Sequence, residues 1–226
     1  MKRIFALLLV GLLGVGATGA RAMDRAELIS HVESCEAILR EFMAVPSTAI
    51  PPAVLHRARG ILILNQFKAG FIIGVKGGYG VAMVKRSDGQ WSIPVLVKAS
   101  AASVGFQAGA HAVETIYVFM DDRTPRLLFN KRFHLGVDAK AVAGPHVADV
   151  DADDRPLLAE PILMYSKSAG LFAGAAVNAA QISRNDKANF LLYQTQYRMP
   201  ELLYSDWVQP PPEVRPLMQY MQQIAP

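Results

Sequence analysis

The chain has 226 residues and a formal net charge of +4, and 52% of its residues are hydrophobic. This length is sufficient for one large domain with its own core. Residues 1–22 contain three of the cations and no acid, so the rest of the chain carries a net charge of only +1. That balance does not support the strong basic excess of a nucleic-acid-binding domain.

The N-terminal segment, residues 1–22, has the pattern of a secretory signal peptide. Lys2 and Arg3 precede an uncharged run over residues 4–20, and a small-x-small cleavage site follows at residues 20–22. We therefore expect export to the periplasm or the cell envelope. Because the apolar run is long for a signal peptide, a retained N-terminal anchor is the alternative.

Residues 24–43 have the apolar spacing of an amphipathic helix. The stripe recurs at three- and four-residue steps and consists of Leu28, Ile29, Val32, Cys35, Leu39, Phe42 and Met43. Asp24 and Glu27 have the spacing of a capping box. Cys35 is the only cysteine, so it has no internal disulfide partner, and its place on the stripe predicts a buried, unreactive thiol.

From residue 59 onward the sequence changes to short β-rich runs. The runs are GILILN, GFIIGV, YGVAMVK, WSIPVLVK, ASVGFQAGA and VETIYVFM, with a hairpin signal at residues 87–89. Strands this close in sequence predict an antiparallel meander, because parallel neighbours need long crossovers. One or two helical turns are expected in RTPRLLFNKRF. Strands then resume at ILMYSK and LFAGAAVNAAQIS, and a helix over about 185–196 precedes a proline-interrupted end.

The stretch GFIIGVKGGYG holds five glycines, and its role decides between a nucleotide site and a structural feature. A dinucleotide loop needs a helix after its glycines, but the strand-like VAMVK follows here, and the chain has no Gly-Lys-Ser or Gly-Lys-Thr of a P-loop. Glycines within strands indicate sharp curvature or close backbone approach. We therefore predict an α+β fold, in which N- and C-terminal helices flank a curved, glycine-rich antiparallel sheet or partly closed barrel.

Several of these segments, in chain order, resemble the SYLF domain family. They are ARGILIL, GFIIGVKGGYGV, WSIPVLV, SVGFQAG, AGP at 143–145, YSKSAGLFAGAAV and NFLLY. The motif positions are Gly70, Gly74, Gly77, Gly78, Trp91, Pro94, Tyr165, Ser166, Gly170, Leu171, Phe172, Gly174 and Asn189. The resemblance implies a non-enzymatic domain over residues 23–206 that binds phospholipid or a membrane surface and needs no cofactor. Residues 207–226 would form a proline-rich tail.

The resemblance also bears on partners. It implies phosphoinositide binding in eukaryotic relatives and, in some of them, binding to actin filaments. The signal segment resembles the bacterial, secreted branch of the family, and an exported protein meets no actin. The alternative function is a structural or scaffolding envelope protein that binds a protein partner through a strand edge or the C-terminal tail.

Membrane binding requires cations near an apolar surface. The candidates flank the predicted strands and turns: Arg57, Arg59, Lys68, Lys76, Lys85, Arg86, Arg126 and Lys131. The helix at 24–43 is a poor candidate, because it has five acids and two arginines, and an anionic bilayer would repel its polar face. We expect this helix to pack against the sheet instead.

Catalytic and metal chemistry find little support in the sequence. The five histidines have no metal-ligand spacing, and no serine lies in a G-x-S-x-G elbow. In a strand, Ser166 and its neighbour Lys167 would point to opposite faces, which prevents proton transfer between them. A weak metal candidate has the spacing of a calcium loop: Asp149, Asp151, Asp153 and Glu160. Asp154 stands where such a loop needs glycine, so we expect a solvated acidic loop.

Overall fold

The computed structural model describes residues 24–70, 73–104, 111–135, 141–145, 157–167 and 181–226. The helices are α1 (Arg25–Ala44), α2 (Pro52–Arg57), α3 (Asp186–Tyr193), α4 (Met199–Tyr204) and α5 (Arg215–Ile224). The strands are β1 (Gly60–Gly70), β2 (Ile73–Val84), β3 (Val95–Val104), β4 (His111–Phe119), β5 (Arg132–His134), β6 (Val142–Ala143), β7 (Ile162–Ser166) and β8 (Gln181–Arg184). Short 3-10 helices lie at Thr124–Phe129, Leu157–Ala159 and Pro212–Val214. The predicted signal peptide lies outside the described residues.

The strands form one eight-stranded sheet, curled into a half-barrel, in the order β5-β8-β3-β2-β1-β4-β7-β6. The α+β fold with terminal helices is therefore confirmed. The predicted meander holds for β1, β2 and β3, but β4 pairs with β1 and gives the first four strands a Greek-key order. The described sheet is antiparallel as predicted, apart from the two-residue β6–β7 pair, which is parallel.

The position of β4 follows from the apolar character of β1. Four consecutive residues, Ile61 to Leu64, are at most 1% exposed, as expected for a strand that is covered on both faces. An apolar strand of eleven residues at the edge of a sheet would leave a long row of unpaired backbone groups. Pairing with β2 on one side and β4 on the other removes that edge.

The glycines of β2 allow two strands to approach closely. A Cβ on Gly78 would lie 2.3 Å from the carbonyl oxygen of Asn65, and one on Gly80 would lie 2.2 Å from that of Ile63. At Gly77, by contrast, a Cβ would meet nothing within 4 Å. The predicted close backbone approach is confirmed at Gly78 and Gly80.

Helix α1 packs on the sheet as predicted. Five of the seven stripe residues are buried, whereas Ile29 and Met43 are partly buried against the core. The Cys35 thiol, with no exposed surface, donates a hydrogen bond to the carbonyl oxygen of Ile63 at 3.8 Å. The predicted burial is confirmed, and it raises the pKa of this thiol to about 12, which disfavours the reactive thiolate. The capping box was wrong: Asp24 is the N-cap residue, but its side chain makes no capping hydrogen bond. Asp24 and Glu27 are both exposed, where water serves the first-turn amides.

The other local predictions also have clear outcomes. Residues 86–90 form the predicted hairpin turn, with Gly89 at a φ of 79° and Arg86 N donating to Gln90 O at 2.9 Å. The predicted helical turns after β4 are the 3-10 helix Thr124–Phe129, and α3 lies within the range predicted for it. No helix in the described part of the chain is both long enough and apolar enough to cross a membrane.

The C-terminal segment belongs to the same core as the sheet. In α5, Leu217 and Met221 have no exposed surface. The indole Nε1 of Trp91 donates to the carbonyl oxygen of Ala225 at 2.8 Å, which ties the end of the chain to the β2–β3 hairpin. Residues 207–226, which we predicted as a tail, therefore contribute to packing.

Candidate functional site

One end of the sheet brings together cations from several parts of the chain. Here β1 begins, β2 and β4 end, and the turns that follow β2 and β4 leave the sheet. We define the basic end by six residues: Arg57, Arg59, Lys85, Arg86, Arg123 and Arg126. Backbone hydrogen bonds hold it together, because Arg59 N donates to Phe119 O at 2.8 Å and Lys85 N donates to Arg59 O at 2.9 Å.

Lys85 and Arg59 are close enough to affect each other electrostatically. Burial lowers the pKa of Lys85, and the charge of Arg59 lowers it further. The ammonium of Lys85 also donates to the backbone oxygen of Pro226. Arg59 faces Asp122 at 4.0 Å, but these side chains are 51% and 75% exposed, so water screens the pair and it contributes little. Arg59 therefore keeps an accessible charge.

Arg126 lies over an aromatic side chain at the rim of the basic end. Its guanidinium carbon is 5.5 Å from the ring centroid of Tyr204, whose ring also packs edge-on against Phe129. The turn that carries Arg126 is anchored by Asp121, whose carboxylate accepts hydrogen bonds from the Arg123 and Thr124 amides, each at 2.7 Å. This carboxylate is thus directed at the backbone.

Arg86 is a structural member of the basic end. Its guanidinium donates to the carbonyl oxygen of Ser205 at 2.9 Å and lies 3.7 Å from the carboxylate of Asp88. Its side chain is only 19% exposed. The bond to Ser205 links the β2–β3 hairpin to the end of α4, so Arg86 positions the aromatic residues that follow.

The sequence analysis missed those aromatic residues. Trp207 is 63% exposed, and its ring centroid lies 5.3 Å from that of Tyr197, which is 41% exposed. Tyr204, at the rim, is 37% exposed. We define the aromatic rim as Tyr197, Tyr204 and Trp207. The one available signal was a tryptophan in the polar, proline-rich stretch SDWVQPPP, where no core would be expected to hold it.

Of the other predicted lipid-contact residues, Lys68 and Lys76 do not join the basic end, and Lys131 has no described contact with it. Lys68 and Lys76 are register partners near the opposite end of the β1–β2 ladder. Eight residues of strand separate Lys68 from Gly60, a distance of roughly 25 Å. Lys131 is exposed immediately before β5, at the other edge of the sheet from β6. The eight predicted cations therefore do not form a single surface.

The motif residues within the described ranges contribute to buried hydrogen bonds and close packing inside the fold. Asn189 is 1% exposed, and its amide accepts a bond from Leu96 N at 2.8 Å and donates to Leu96 O at 3.0 Å. The hydroxyl of Tyr193 donates to the carbonyl oxygen of Pro94. A Cβ on Gly144 would lie 2.3 Å from the ring of Tyr165. Gly170, Leu171, Phe172 and Gly174 lie outside the described residues.

The predicted candidates that lie within the described residues are engaged in other contacts. The ammonium of Lys167 contacts the carboxylate of Glu41 and lies 3.7 Å from that of Glu114, whereas Ser166 Oγ donates to the backbone oxygen of Glu114 at 3.3 Å. Within the described ranges, no group of three or more histidine, cysteine or acidic residues could hold a metal ion. Of the predicted calcium loop, only Glu160 is described, and residues 149–153 lie outside.

The fold and the basic end define an α+β domain with a charged and aromatic surface at one end. Comparison with known proteins then gives the family. Residues 100–224 match the family model "Ysc84: Las17-binding protein actin regulator". The chain belongs to the Ysc84/SYLF domain family, which confirms the resemblance seen in its motifs. The family description names a binding protein and regulator, not an enzyme.

Two curated relatives illustrate the extent of the similarity. The chain is 26% identical over 189 residues to SH3 domain-containing YSC84-like protein 1 of Homo sapiens, covering 81% of this chain and 55% of that protein. It is 30% identical over 179 residues to LAS seventeen-binding protein 3 of Saccharomyces cerevisiae, covering 78% of this chain and 39% of that protein. The chain thus spans about half the length of these relatives, or less. No solved structure matches it.

Proposed function

We propose that the domain binds anionic phospholipid surfaces, without catalysis, through its basic end and aromatic rim. The observation that carries this proposal is that one end of the sheet combines exposed Arg57 and Arg59, at the start of β1, with exposed Arg126, which lies over the exposed ring of Tyr204. Cations supply attraction to lipid phosphates, and aromatic side chains with a polar edge suit the headgroup level of a bilayer. Neither feature alone would define a membrane-binding surface.

The arginines of this surface contribute to its affinity for an anionic membrane through electrostatic attraction. An arginine near an anionic membrane contributes about 1 kcal/mol, so three of them strengthen binding by about a hundredfold. Asp88, Asp121 and Asp122 lie at the same end and reduce the positive field. The six cations of the basic end still outnumber them, and Asp121 is occupied by backbone amides.

We further propose that binding takes place in a bacterial cell envelope, after export directed by residues 1–22. This part of the proposal rests on the signal-peptide pattern of the sequence. It is checked by fractionating cells that express the full chain and determining the mature N-terminus. Recovery of the intact chain from the cytoplasm would contradict it.

The lipid proposal is tested by sedimenting the full chain with vesicles. Neutral vesicles and neutral vesicles with added phosphatidylglycerol are compared, at low and at physiological salt. We expect binding only to the anionic vesicles, with weakening as salt rises. The double variant Arg57→Gln/Arg126→Gln should lose about tenfold or more in affinity, and Trp207→Ala should weaken binding in a salt-independent way.

A matched control is Lys187→Gln, because Lys187 is exposed on α3, away from the basic end. It removes the same unit of charge as one arginine variant and should leave vesicle binding unchanged. Equal loss in Lys187→Gln and in an Arg57→Gln single variant would mean that overall charge, and not this surface, governs binding. Absence of binding to anionic vesicles at low salt would overturn the proposal.

A second candidate function is binding of a protein partner. The family description names Las17 binding, and a groove of about 280 Å³ lies between the β2–β3 hairpin and α5, next to Arg215 and Gln222. A strand edge is a weaker choice, because the edge strands of the described sheet, β5 and β6, have three and two residues. The test is binding of purified Las17, with Arg215→Glu as the groove variant; absence of binding removes this candidate.

A further inference from the structure

A second concave site lies on the α1 face of the sheet, along the middle of β2 and β3, between the basic end and the β1–β2 turn. It has a volume of about 350 Å³, within the range of small-molecule sites. Tyr79, Lys98 and Ser183 are register partners across β2, β3 and β8, so their side chains form one row on this face. His31 of α1 stacks on the Tyr79 ring, with centroids 3.6 Å apart, and forms one side of the pocket.

The pocket gathers polar side chains that the rest of the described structure does not use. Lys98 and Ser100 are exposed, and Ser183 is half-buried. Among the described residues, none of these three side chains has a hydrogen-bond or ion-pair partner. A lysine and two hydroxyls from neighbouring strands thus converge without satisfying one another.

Asn185 provides the strongest sign of a ligand. It is only 8% exposed, it lines the pocket, and it is the N-cap residue of α3. Its side chain makes no capping hydrogen bond and has no partner elsewhere in the described chain. The Asn185 amide is not one of the side-chain groups that are fully enclosed without a partner, so its polar atoms reach the pocket, where a bound group could accept its hydrogen bond.

The electrostatics of the pocket favour an anion. Lys98 is its only ionised side chain, and no carboxylate lines it. The positive end of the α3 dipole also points toward it, since α3 begins beside Asn185. The nearby acid Asp186 does not line the pocket, and its carboxylate is 3.7 Å from the guanidinium of Arg184.

We infer that this pocket binds the terminal phosphate of a phosphomonoester. An ammonium, two hydroxyls and an amide offer more donors than the two oxygens of a carboxylate can accept, whereas a phosphate presents three acceptor oxygens. The stacked His31 and Tyr79 rings provide an apolar wall for the group that carries the phosphate. The site is independent of the basic end, and the phosphate is either that of a lipid headgroup or that of a soluble ester.

The test is an NMR titration of the full chain with inorganic phosphate, at a fixed pH of about 8, where histidine is neutral. Sodium chloride at equal ionic strength is the control for nonspecific salt effects. We expect saturable shifts of the His31 ring and Lys98 amide signals with phosphate only. Shifts that do not saturate, or that chloride reproduces, would overturn the inference.

Two variants locate the site. Asn185→Asp keeps the size and the N-cap position but places a carboxylate in the pocket, and Lys98→Gln removes the ammonium. Each should weaken phosphate binding by about tenfold or more, while Lys187→Gln, two residues from Asn185 but outside the pocket lining, should not. Circular dichroism checks that each variant is folded. Unchanged phosphate affinity in a folded Lys98→Gln or Asn185→Asp would overturn the inference.

A vesicle experiment distinguishes the two sources of the phosphate. Phosphatidic acid presents a phosphomonoester at the bilayer surface, whereas phosphatidylglycerol presents only a diester. A preference for phosphatidic acid that Lys98→Gln removes supports a lipid headgroup; phosphate binding without that preference supports a soluble ester. Arg57→Gln/Arg126→Gln should leave the phosphate titration unchanged. The vesicle experiment with this double variant therefore tests the basic end, and the phosphate titration tests the pocket independently.

Discussion

The buried contacts of the family motif and the basic end differ in how completely their polar groups are used. Asn189 exchanges two hydrogen bonds with the backbone of Leu96, and Trp91 donates to the carbonyl oxygen of Ala225. At the basic end, by contrast, Arg57 is exposed, and Arg59 has only a screened ion pair at 4.0 Å. The motif residues therefore preserve the fold, and the surface available for binding is made by residues that the motif does not include.

This difference explains why family resemblance identified the fold more securely than the site. A buried amide that serves a strand backbone tolerates few replacements, because loss of its bonds leaves buried donors and acceptors unpaired. An exposed arginine tolerates many replacements without affecting folding. The predictions below test this contrast, from the largest expected change in the free energy of unfolding to the smallest.

Asn189→Ala should be strongly destabilising. It leaves the amide and carbonyl of Leu96 buried without their partner, at a cost of roughly 2–4 kcal/mol. The matched control is Asn185→Ala, on the same helix, because the Asn185 side chain makes no described hydrogen bond. Thermal melts should show a fall of roughly 5–15 °C for Asn189→Ala and a much smaller one for Asn185→Ala. Equal effects would contradict the assigned role of Asn189.

Gly80→Ala should be destabilising because its new methyl group would collide with backbone. The Cβ would lie 2.2 Å from the carbonyl oxygen of Ile63, so β1 and β2 would have to separate, at a cost of about 1–3 kcal/mol. Gly77→Ala is the control, since nothing lies within 4 Å of its Cβ. Urea denaturation measures both. A Gly80→Ala variant as stable as Gly77→Ala would show that close approach does not limit this strand pair.

Sequence patterns predicted the local features well and the non-local ones poorly. The stripe of α1, the buried Cys35 and the hairpin at 86–90 depend on neighbouring residues, and all three are confirmed. The pairing of β4 with β1 covers an edge of β1 that would otherwise stay unpaired. The order of the strands along the chain does not show that β4 takes this place. Local propensity and turn chemistry therefore sufficed for the elements but not for the full strand order.

The candidate site illustrates the same limit. Arg59 and Lys85 are far apart in sequence but adjacent at one end of the sheet, whereas Lys68, equally plausible as a cation, lies roughly 25 Å away along β1. The bond from Arg86 to Ser205 holds the chain two residues before Trp207 against the β2–β3 hairpin, and no motif encodes that bond. The strand register decides which of the predicted cations lie at the same end of the sheet. That register could not be derived from the sequence alone.

His31 should make a small, pH-dependent contribution to stability. Burial against Tyr79 lowers its pKa below 6.5, and the charge of Glu27 opposes this shift. The unfolded chain therefore binds this proton more readily, so the contribution is complete above pH 6.5 and is lost as the pH falls toward the folded-state pKa.

The measurement compares melting temperatures at pH 7.5 and pH 5.5 in His31→Phe, which can still stack on Tyr79 but cannot titrate. The loss on acidification should be smaller than in the parent chain by about a degree. His56→Phe, at an exposed position, controls for the removal of a histidine. An identical acid loss in His31→Phe and the parent chain would show that His31 is not linked to folding.

The smallest change is expected for Arg57→Gln/Arg126→Gln, the double variant that should weaken vesicle binding. Arg57 is exposed, and Arg126 contributes only an exposed contact with the Tyr204 ring, so the free energy of unfolding should stay within about 0.5 kcal/mol of the parent value. Urea denaturation without lipid measures this difference. If the double variant instead melted like Asn189→Ala, its loss of vesicle binding would reflect unfolding, and the basic end would be part of the scaffold. Unchanged stability together with lost binding would separate the binding surface from the residues that preserve the fold.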